Sequence, residues 1–457
     1  MRNRVDEADL AAITAAVGAT PRVLYEDVHV YPLSAPAFVP APGAPRAQPG
    51  PGPLKLYVHV PFCNYACTFC FYAKRVGVPR AQMERYVAAV ERELEWITPG
   101  TPLAQLYVGG GTPTALPADL LDRLLAAICA RTSRPDGISL TVECSPESVT
   151  ADHLHALAAR GVNRVSMGIE SLDEGVLDGI RRRHGRAQAL DACSLLVDSG
   201  RFVNVDLIYG LPGQSEDSFR GDLAAAAGRG PHSFTLYNLR LNEFTPARSA
   251  LDDVERMDLP RLVRWRSFVK QAASELGYAQ TRWHTFVRRD VVASPYDRAP
   301  CVDGFGAGRQ LGVGASAASH LGHVVYRNEE SLEGYTARVE RGESPVGGIF
   351  ALGDADRRTL FVARSLGDGG SLDPVAYAAA FGSTLEDDFG AVLARLRGAG
   401  LLAERAAGLA LSPTGELVYD LALLAFYPER ARRWLDERQS ATRPAARKPL
   451  ASAVTAA

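Results

Sequence analysis

The sequence predicts an α/β protein: a partial (β/α)6 barrel followed by a small C-terminal helical, winged-helix-like domain. Three observations carry that expectation. Short runs of strand-forming residues alternate with amphipathic helical stretches. The alternation repeats six times between Leu54 and Leu276. Later in the chain the pattern changes to helices separated by short apolar runs and a Ser-Pro-Thr-Gly turn.

The first unit joins a strand over 54–60 to a helix over 82–97. A strand over 105–108 then precedes a helix from Pro117, one over 139–143 a helix near Thr150, and one over 164–168 helical turns beyond Asp173. The strand over 202–209 leads to a helix near Glu216, and that over 233–239 to a long amphipathic stretch from Leu259 to Leu276. Strands arranged in this way run parallel, because parallel neighbours need crossover connections, and these take one hand. Their C-terminal ends then gather the loops that bind ligands.

The barrel is expected over residues 54–330. Before it, residues 1–53 read as a small helix and strand and then, from Ala35 to Pro53, a Pro-, Ala- and Gly-rich linker. Residues 331–439 form the C-terminal domain, with short runs at Leu401-Leu402 and Leu409-Ala410-Leu411, and 440–457 a solvated, disordered tail.

Composition excludes several classes. Of 457 residues, 47% are hydrophobic and 22% charged, and the net charge is −2. That balance leaves no basic footprint for nucleic acid or an anionic membrane. No run reaches the roughly 20 apolar residues of a membrane span, and Met1 to Glu7 lacks the apolar core of a secretory signal. The expected location is cytoplasmic and the expected partner a small molecule.

Seven cysteines are present, three of them in Cys63-Asn64-Tyr65-Ala66-Cys67-Thr68-Phe69-Cys70, directly after the first strand. Cys129, Cys144, Cys193 and Cys301 stand alone and read as small buried side chains. Three thiolates on a cubane of four irons leave one iron open to the amino and carboxylate groups of a small ligand. Structural zinc requires four closed ligands, and no second C-x-x-C exists here. A redox C-x-x-C would leave Cys63 without a role. Cys63, Cys67 and Cys70 are therefore the expected ligands of a 4Fe–4S cluster.

Other motifs fall at the same edge. Gly109-Gly110-Gly111-Thr112-Pro113 follows the second strand, where bare backbone can approach a ligand and offer it amides. Glu143 ends the third strand, Glu170 the fourth, and Asp206 lies in the fifth. Carboxylates there suit ribose hydroxyls or an ammonium group.

Together these motifs resemble the radical S-adenosylmethionine (SAM) superfamily, in the branch of oxygen-independent coproporphyrinogen oxidase. The likeness runs from about Leu54 to Tyr427. It implies one or two SAM molecules: Tyr57, Gly110 and Glu143 around the cluster-bound one, and Phe69, Gly111, Thr112, Glu170, Arg182 and Asp206 around a second. Glu170 stands where the family usually has glutamine. Gly312-Val313-Gly314-Ala315-Ser316-Ala317 resembles a later ligand wall of the branch.

The resemblance further implies an electron donor such as flavodoxin or ferredoxin, reductive cleavage of SAM, and abstraction of a substrate hydrogen. Departures bear on the substrate. Coproporphyrinogen oxidases carry a further cysteine two places after the third, where this chain has Tyr72. Haem chaperones of the branch usually follow the third cysteine with an acidic residue, where this chain has Phe71. The ending from Gly415 to Pro428 is closer to the class C radical SAM methyltransferases, which implies C-methylation or cyclopropanation of an sp2 carbon. The alternatives are a tetrapyrrole enzyme of the coproporphyrinogen oxidase kind, or a haem chaperone using His320 or His323.

Overall fold

The computed structural model describes residues 7–17, 39–240, 245, 258–291, 308–367 and 369–433. His29, Cys301 and the 440–457 tail lie outside them. Six strands, β1 (Leu54–Val60), β2 (Thr101–Gly110), β3 (Ser139–Cys144), β4 (Arg164–Glu170), β5 (Phe202–Tyr209) and β6 (Ser233–Asn238), lie side by side in chain order and run parallel. Between them run α1 (Arg80–Leu94), α2 (Ala118–Arg131), α3 (Ala151–Ala159), α4 (Glu174–Gly179), α5 (Arg186–Asp198) and α6 (Glu216–Ala227), and α7 (Leu259–Glu275) follows β6.

Local chemistry sets the helix starts. Thr150 accepts from the His153 amide, Asp173 from that of Val176, and Asp258 from that of Arg261, each filling a donor that a helix N-terminus leaves bare. Ser215 and Ser218 close a reciprocal capping box.

The period-2 pattern of the strands gives the sheet two unlike faces. In β1, Leu54, Leu56, Val58 and Val60 are fully buried and pack in one core with Tyr86, Val87 and Val90 of α1. Tyr57 and His59 point the other way, as do Tyr107, Glu143, Ser166, Asn204, Asp206 and Thr235, and these polar side chains bond along a strand (Tyr57–His59, Asn204–Asp206) and across neighbouring strands (Tyr107–Glu143, Ser166–Asp206, Asn204–Thr235). That polar face leads to the site.

The sheet extends beyond the six strands on both sides. Gly308–Val313 pairs parallel with β1 and continues through the antiparallel strands Ala318–Gly322, Val324–Asn328 and Val346–Ala351. At the other edge Thr285–Arg288 pairs antiparallel with β6. Among the described residues the strand order is open, with no closure between its ends.

Two sequence expectations change here. Over its described part, the Pro- and Ala-rich linker is packed: Val39 pairs with Ile349, the Gly43 amide donates to Val346 O at 2.8 Å, and Arg309 binds the carbonyls of Gly50, Gly52 and Pro53. Composition alone hides this, because the partners lie some 250 or more residues away. The loop expected as a ligand wall, Gly312 to Ala317, is engaged by protein. A Cβ on Gly314 would stand 2.5 Å from the Tyr86 hydroxyl and 2.7 Å from His59 O, and the Gly314 amide donates to Glu93 at 2.7 Å.

The C-terminal region holds helices Asp354–Gly367, Pro374–Phe381 and Leu385–Gly398 and the hairpin Leu402–Arg405 with Gly408–Leu411. It is fastened to α7 by a buried, two-pronged Arg266–Asp420 pair at 2.7 and 2.9 Å and by Lys270–Glu416 at 2.6 Å. Tyr419 stacks on Trp283 with the rings 4.9 Å apart. Among the described residues, no helix is long and apolar enough to cross a membrane.

Candidate functional site

The cysteine loop begins where β1 ends. Phe62–Cys63 pairs with Arg75–Val76, and the Arg75 amide donates to Pro61 O at 2.6 Å, so the loop returns to its own base. Lys74 donates to Cys70 O at 2.7 Å, and the Thr68 amide reaches Ile180 O at 3.1 Å. His59 is the inner brace. Its Nε2 lies 3.2 Å from Ala73 O, an obligate acceptor, so Nε2 carries the proton and Nδ1 accepts from the Tyr57 hydroxyl at 2.9 Å. Burial lowers its pKa to about 4 and keeps it neutral.

Donors face two of the sulfurs. Thr112 Oγ1 lies 3.7 Å from Cys63 Sγ, and Arg182 Nη1 lies 3.7 Å from Cys67 Sγ. Burial pushes both thiols up to about 11, so thiolates form there only against a strong positive charge such as bound iron. Among the described residues, no three His, Cys, Asp or Glu side chains gather about a point that one metal ion could fill, as a mononuclear zinc site requires. A cubane takes each thiolate on a separate iron and needs no common point. The donor set fits a 4Fe–4S cluster.

The glycine run owes its composition to crowding. A Cβ on Gly109 would stand 2.6 Å from Glu143 Oε2, and one on Gly110, whose φ is +115°, 2.5 Å from the His59 ring. The amides expected to meet a ligand are otherwise engaged: Gly110 donates to Glu143 at 3.1 Å, Gly111 to Val60 O at 2.8 Å and Thr112 to Phe62 O at 2.6 Å. Glu143 also accepts from the Tyr107 hydroxyl at 2.5 Å. Burial raises its pKa to about 7, with Tyr107 opposing and the charge of Asp206 adding.

Asp206 accepts from Asn204 at 2.7 Å and Ser166 at 3.1 Å, and burial raises its pKa. Glu170 follows a bulge in β4 and sits at φ +68°, a left-handed conformation that a non-glycine residue adopts at a cost. Its carboxylate meets Arg182 Nη2 at 3.0 Å, and burial, partly offset by Arg182, holds its pKa at about 7.

Tyr57, Gly110 and Glu143 thus come together at the ends of β1 to β3, and Glu170 and Arg182 meet beside Cys67. Asp206 joins them through the shared field of the carboxylates. Thr112 belongs with Cys63, and Phe69 packs against the apolar group of Val176, Ile180, Ile208, Leu211 and Leu239. Sequence reasoning missed His59 and Tyr107 as parts of the site. The signal was present, since each points to the polar face in step with Tyr57 and Glu143.

Residues 57–226 match the model of the radical SAM superfamily. Among curated proteins, the oxygen-independent coproporphyrinogen III oxidase of Escherichia coli K12 is 28% identical over 310 residues, covering 63% of this chain and 66% of its own length. The heme chaperone HemW of Lactococcus lactis is 31% identical over 194 residues, 42% of this chain and 51% of that protein. The E. coli alignment spans just under two thirds of that relative. The solved structure of E. coli coproporphyrinogen III oxidase (HemN), described as a radical SAM enzyme, superposes with a TM-score of 0.71 at 26% identity, covering 82% of this chain and 90% of that one.

Proposed function

This chain is a radical SAM enzyme with a HemN-like fold and with a 4Fe–4S cluster and SAM as its cofactors, and from that premise we propose that Cys63, Cys67 and Cys70 hold the cluster and that the enzyme abstracts hydrogen from a tetrapyrrole-like substrate. The observation that carries the placement is the meeting, at one sheet edge, of the three-cysteine loop with Glu143, Glu170 and Asp206. Bound there, the cluster supplies the electron that splits SAM into methionine and a hydrogen-abstracting fragment.

The protein's own part is to hold and aim. Glu143, fixed by Tyr107 and the Gly110 amide, takes the ammonium of SAM, whose charge restores the carboxylate to its ionised form. Tyr57 borders the same ligand. Asp206, oriented by Ser166 and Asn204, takes a hydroxyl pair. Arg182 places its guanidinium between Glu170 and Cys67, where it suits a carboxylate. Phe69, Gly111 and Thr112 complete the wall where a second SAM would lie. An external donor of the flavodoxin or ferredoxin kind delivers the electron.

Tetrapyrrole chemistry leads because the named relatives are coproporphyrinogen III oxidases and a heme chaperone. The chaperone form has less support. His320 accepts from Arg364 at Nδ1, at 3.1 Å, and donates from Nε2 to Gly322 O at 3.0 Å, so neither nitrogen offers a lone pair to iron. One-carbon transfer, the first expectation from the sequence, is the second reading, and Tyr72 favours it. This residue stands two places after Cys70 with 58% of its surface exposed, a position from which it can contact substrate.

Anaerobic incubation of reconstituted enzyme with methyl-labelled SAM separates the two. Carbon dioxide released from coproporphyrinogen III, with 5′-deoxyadenosine, supports the first reading. Label in an aromatic acceptor, with S-adenosylhomocysteine, supports the second. Absence of 5′-deoxyadenosine under every condition contradicts both.

A further inference from the structure

Two large aromatic side chains near the strand ends stand open to solvent. Tyr72, two places after Cys70, exposes 58% of its surface, and Tyr237 of β6 exposes 40%. Tyr237 continues the polar face of the sheet. Phe234 and Leu236 belong to the apolar core, whereas Ser233 and Thr235 bond Asn204, so the alternation sends Tyr237 their way. Tyr72 comes over the same face from the cysteine loop. Burial by the surrounding protein, with the charges of Cys70, Glu143 and Asp206 adding, pushes its phenol up to about 12. A ring hemmed in by protein and yet open to solvent lines a hollow rather than a convex surface.

The two rings belong to one neighbourhood. Asp206, whose charge reaches Tyr72, is the register partner of Thr235, two residues before Tyr237 on the same face. Phe69 of the cysteine loop packs with Leu239, two residues beyond it. Tyr237 is backed from the C-terminal region. Its ring lies 5.1 Å from that of His284, whose Nε2 stands 2.6 Å from the Tyr419 hydroxyl and 3.2 Å from Arg240 Nη2. Arginine only donates, so Nε2 accepts and Tyr419 gives it a proton, while Tyr419 accepts from Arg240 at 3.0 Å.

Ring faces left against water in a concave site are surface that a ligand can cover. A flat aromatic ring covers them best, because offset and edge-on contacts between rings add to the area they bury. We propose that Tyr72 and Tyr237 contact the substrate, that they take a flat aromatic ring, pyrrole included, and that Tyr419 acts through His284 as a positioning residue for Tyr237. This rests on SAM lying at Glu143 and Asp206, which sets the ring beside the hydrogen-abstracting fragment. The carboxylates there turn any acidic substituent of the ring away from them.

The test is anaerobic equilibrium dialysis of the holoenzyme with SAM against coproporphyrinogen III, indole-2-carboxylate and the saturated octahydroindole-2-carboxylate. The wild type should bind an aromatic probe and hold the saturated one more weakly. Tyr72→Leu and Tyr237→Leu should each weaken aromatic binding roughly 10-fold, the loss of a ring contact, and Tyr237→Phe should restore it. Tyr419→Phe, which loses only the hydrogen bond, should weaken it about 3-fold. The change that SAM makes in the reduced EPR spectrum should persist in every variant, which a general loss of structure would not allow. Equal affinity for the aromatic and saturated probes, unchanged affinity in both leucine variants, or no binding of either aromatic probe overturns the proposal. Should a leucine variant fail to fold, 3-fluorotyrosine at position 72 or 237 decides: its 19F resonance must shift when the probe binds. An iron-free wild type that still holds the aromatic probe refutes the cluster reading and leaves the ring site standing.

Discussion

Carboxylates on the two sides of the sheet are treated in opposite ways. Glu93, on α1, is fully buried and accepts from the Gly314 amide at 2.7 Å, Asn328 at 2.8 Å and the Tyr335 hydroxyl at 2.5 Å, with Arg46 at 3.4 Å. Every lone pair faces a donor, and the partners rivet the N-terminal segment and the Gly312–Ala317 loop to the back of the sheet. On the polar face, Glu143, Glu170 and Asp206 raise one another's pKa values, offset by Arg182 beside Glu170 and by Arg164 near Glu143 and Asp206, and Glu170 holds a left-handed backbone. A satisfied carboxylate is a joint. A crowded, strained set awaiting a cation is a binding site, and proteins carry that cost where function demands it.

The comparison can be broken by substitution. The largest effect is expected from replacing Cys63, Cys67 and Cys70 together with alanine: iron content and 5′-deoxyadenosine formation should both fall to background while circular dichroism stays that of the wild type. Next, Glu93→Ala leaves Arg46 buried without its counter-charge and should lower unfolding stability by about 3–5 kcal/mol in urea titrations. Glu143→Gln should do the converse, with SAM cleavage reduced by roughly 10- to 100-fold, as loss of a charged hydrogen bond implies, and a urea midpoint near that of the wild type.

The smallest effect is a pH dependence that sharpens the same contrast. Glu143 and Glu170 have folded-state pKa values near 7, above the usual 4.5, because burial penalises their charged forms. The folded state therefore holds more protons than the unfolded state between those values. Stability of the cluster- and SAM-free protein should be greatest below about pH 4.5 in these two terms and decline as pH rises through 7, by roughly 1 kcal/mol or more. Thermal melts should show the decline, and Glu143→Gln should reduce it.

Much of this was legible in the sequence. Alternation in Leu54–Val60 and Phe202–Tyr209 marks strands with one apolar and one polar face, and the spacing of Cys63, Cys67 and Cys70 marks the loop. Glu143 and Asp206 could be found because each falls at or near the end of such a strand. What stayed hidden depends on contacts between distant segments. Three of the Glu93 partners, Gly314, Asn328 and Tyr335, lie more than 200 residues further on, and the strand Gly308–Val313 is too rich in glycine to announce that it pairs with β1. The φ of Glu170 follows from a bulge set by packing, which no local pattern encodes.

Central to the account is a cluster held by one loop. Anaerobically purified protein should be assayed for iron, sulfide and zinc, and its reduced EPR spectrum recorded before and after SAM is added. The account predicts about four irons and four sulfides per chain, the complement of one cubane, and a spectrum that changes when SAM binds. Zinc in place of iron, or a full iron complement in the protein lacking Cys63, Cys67 and Cys70, would contradict it.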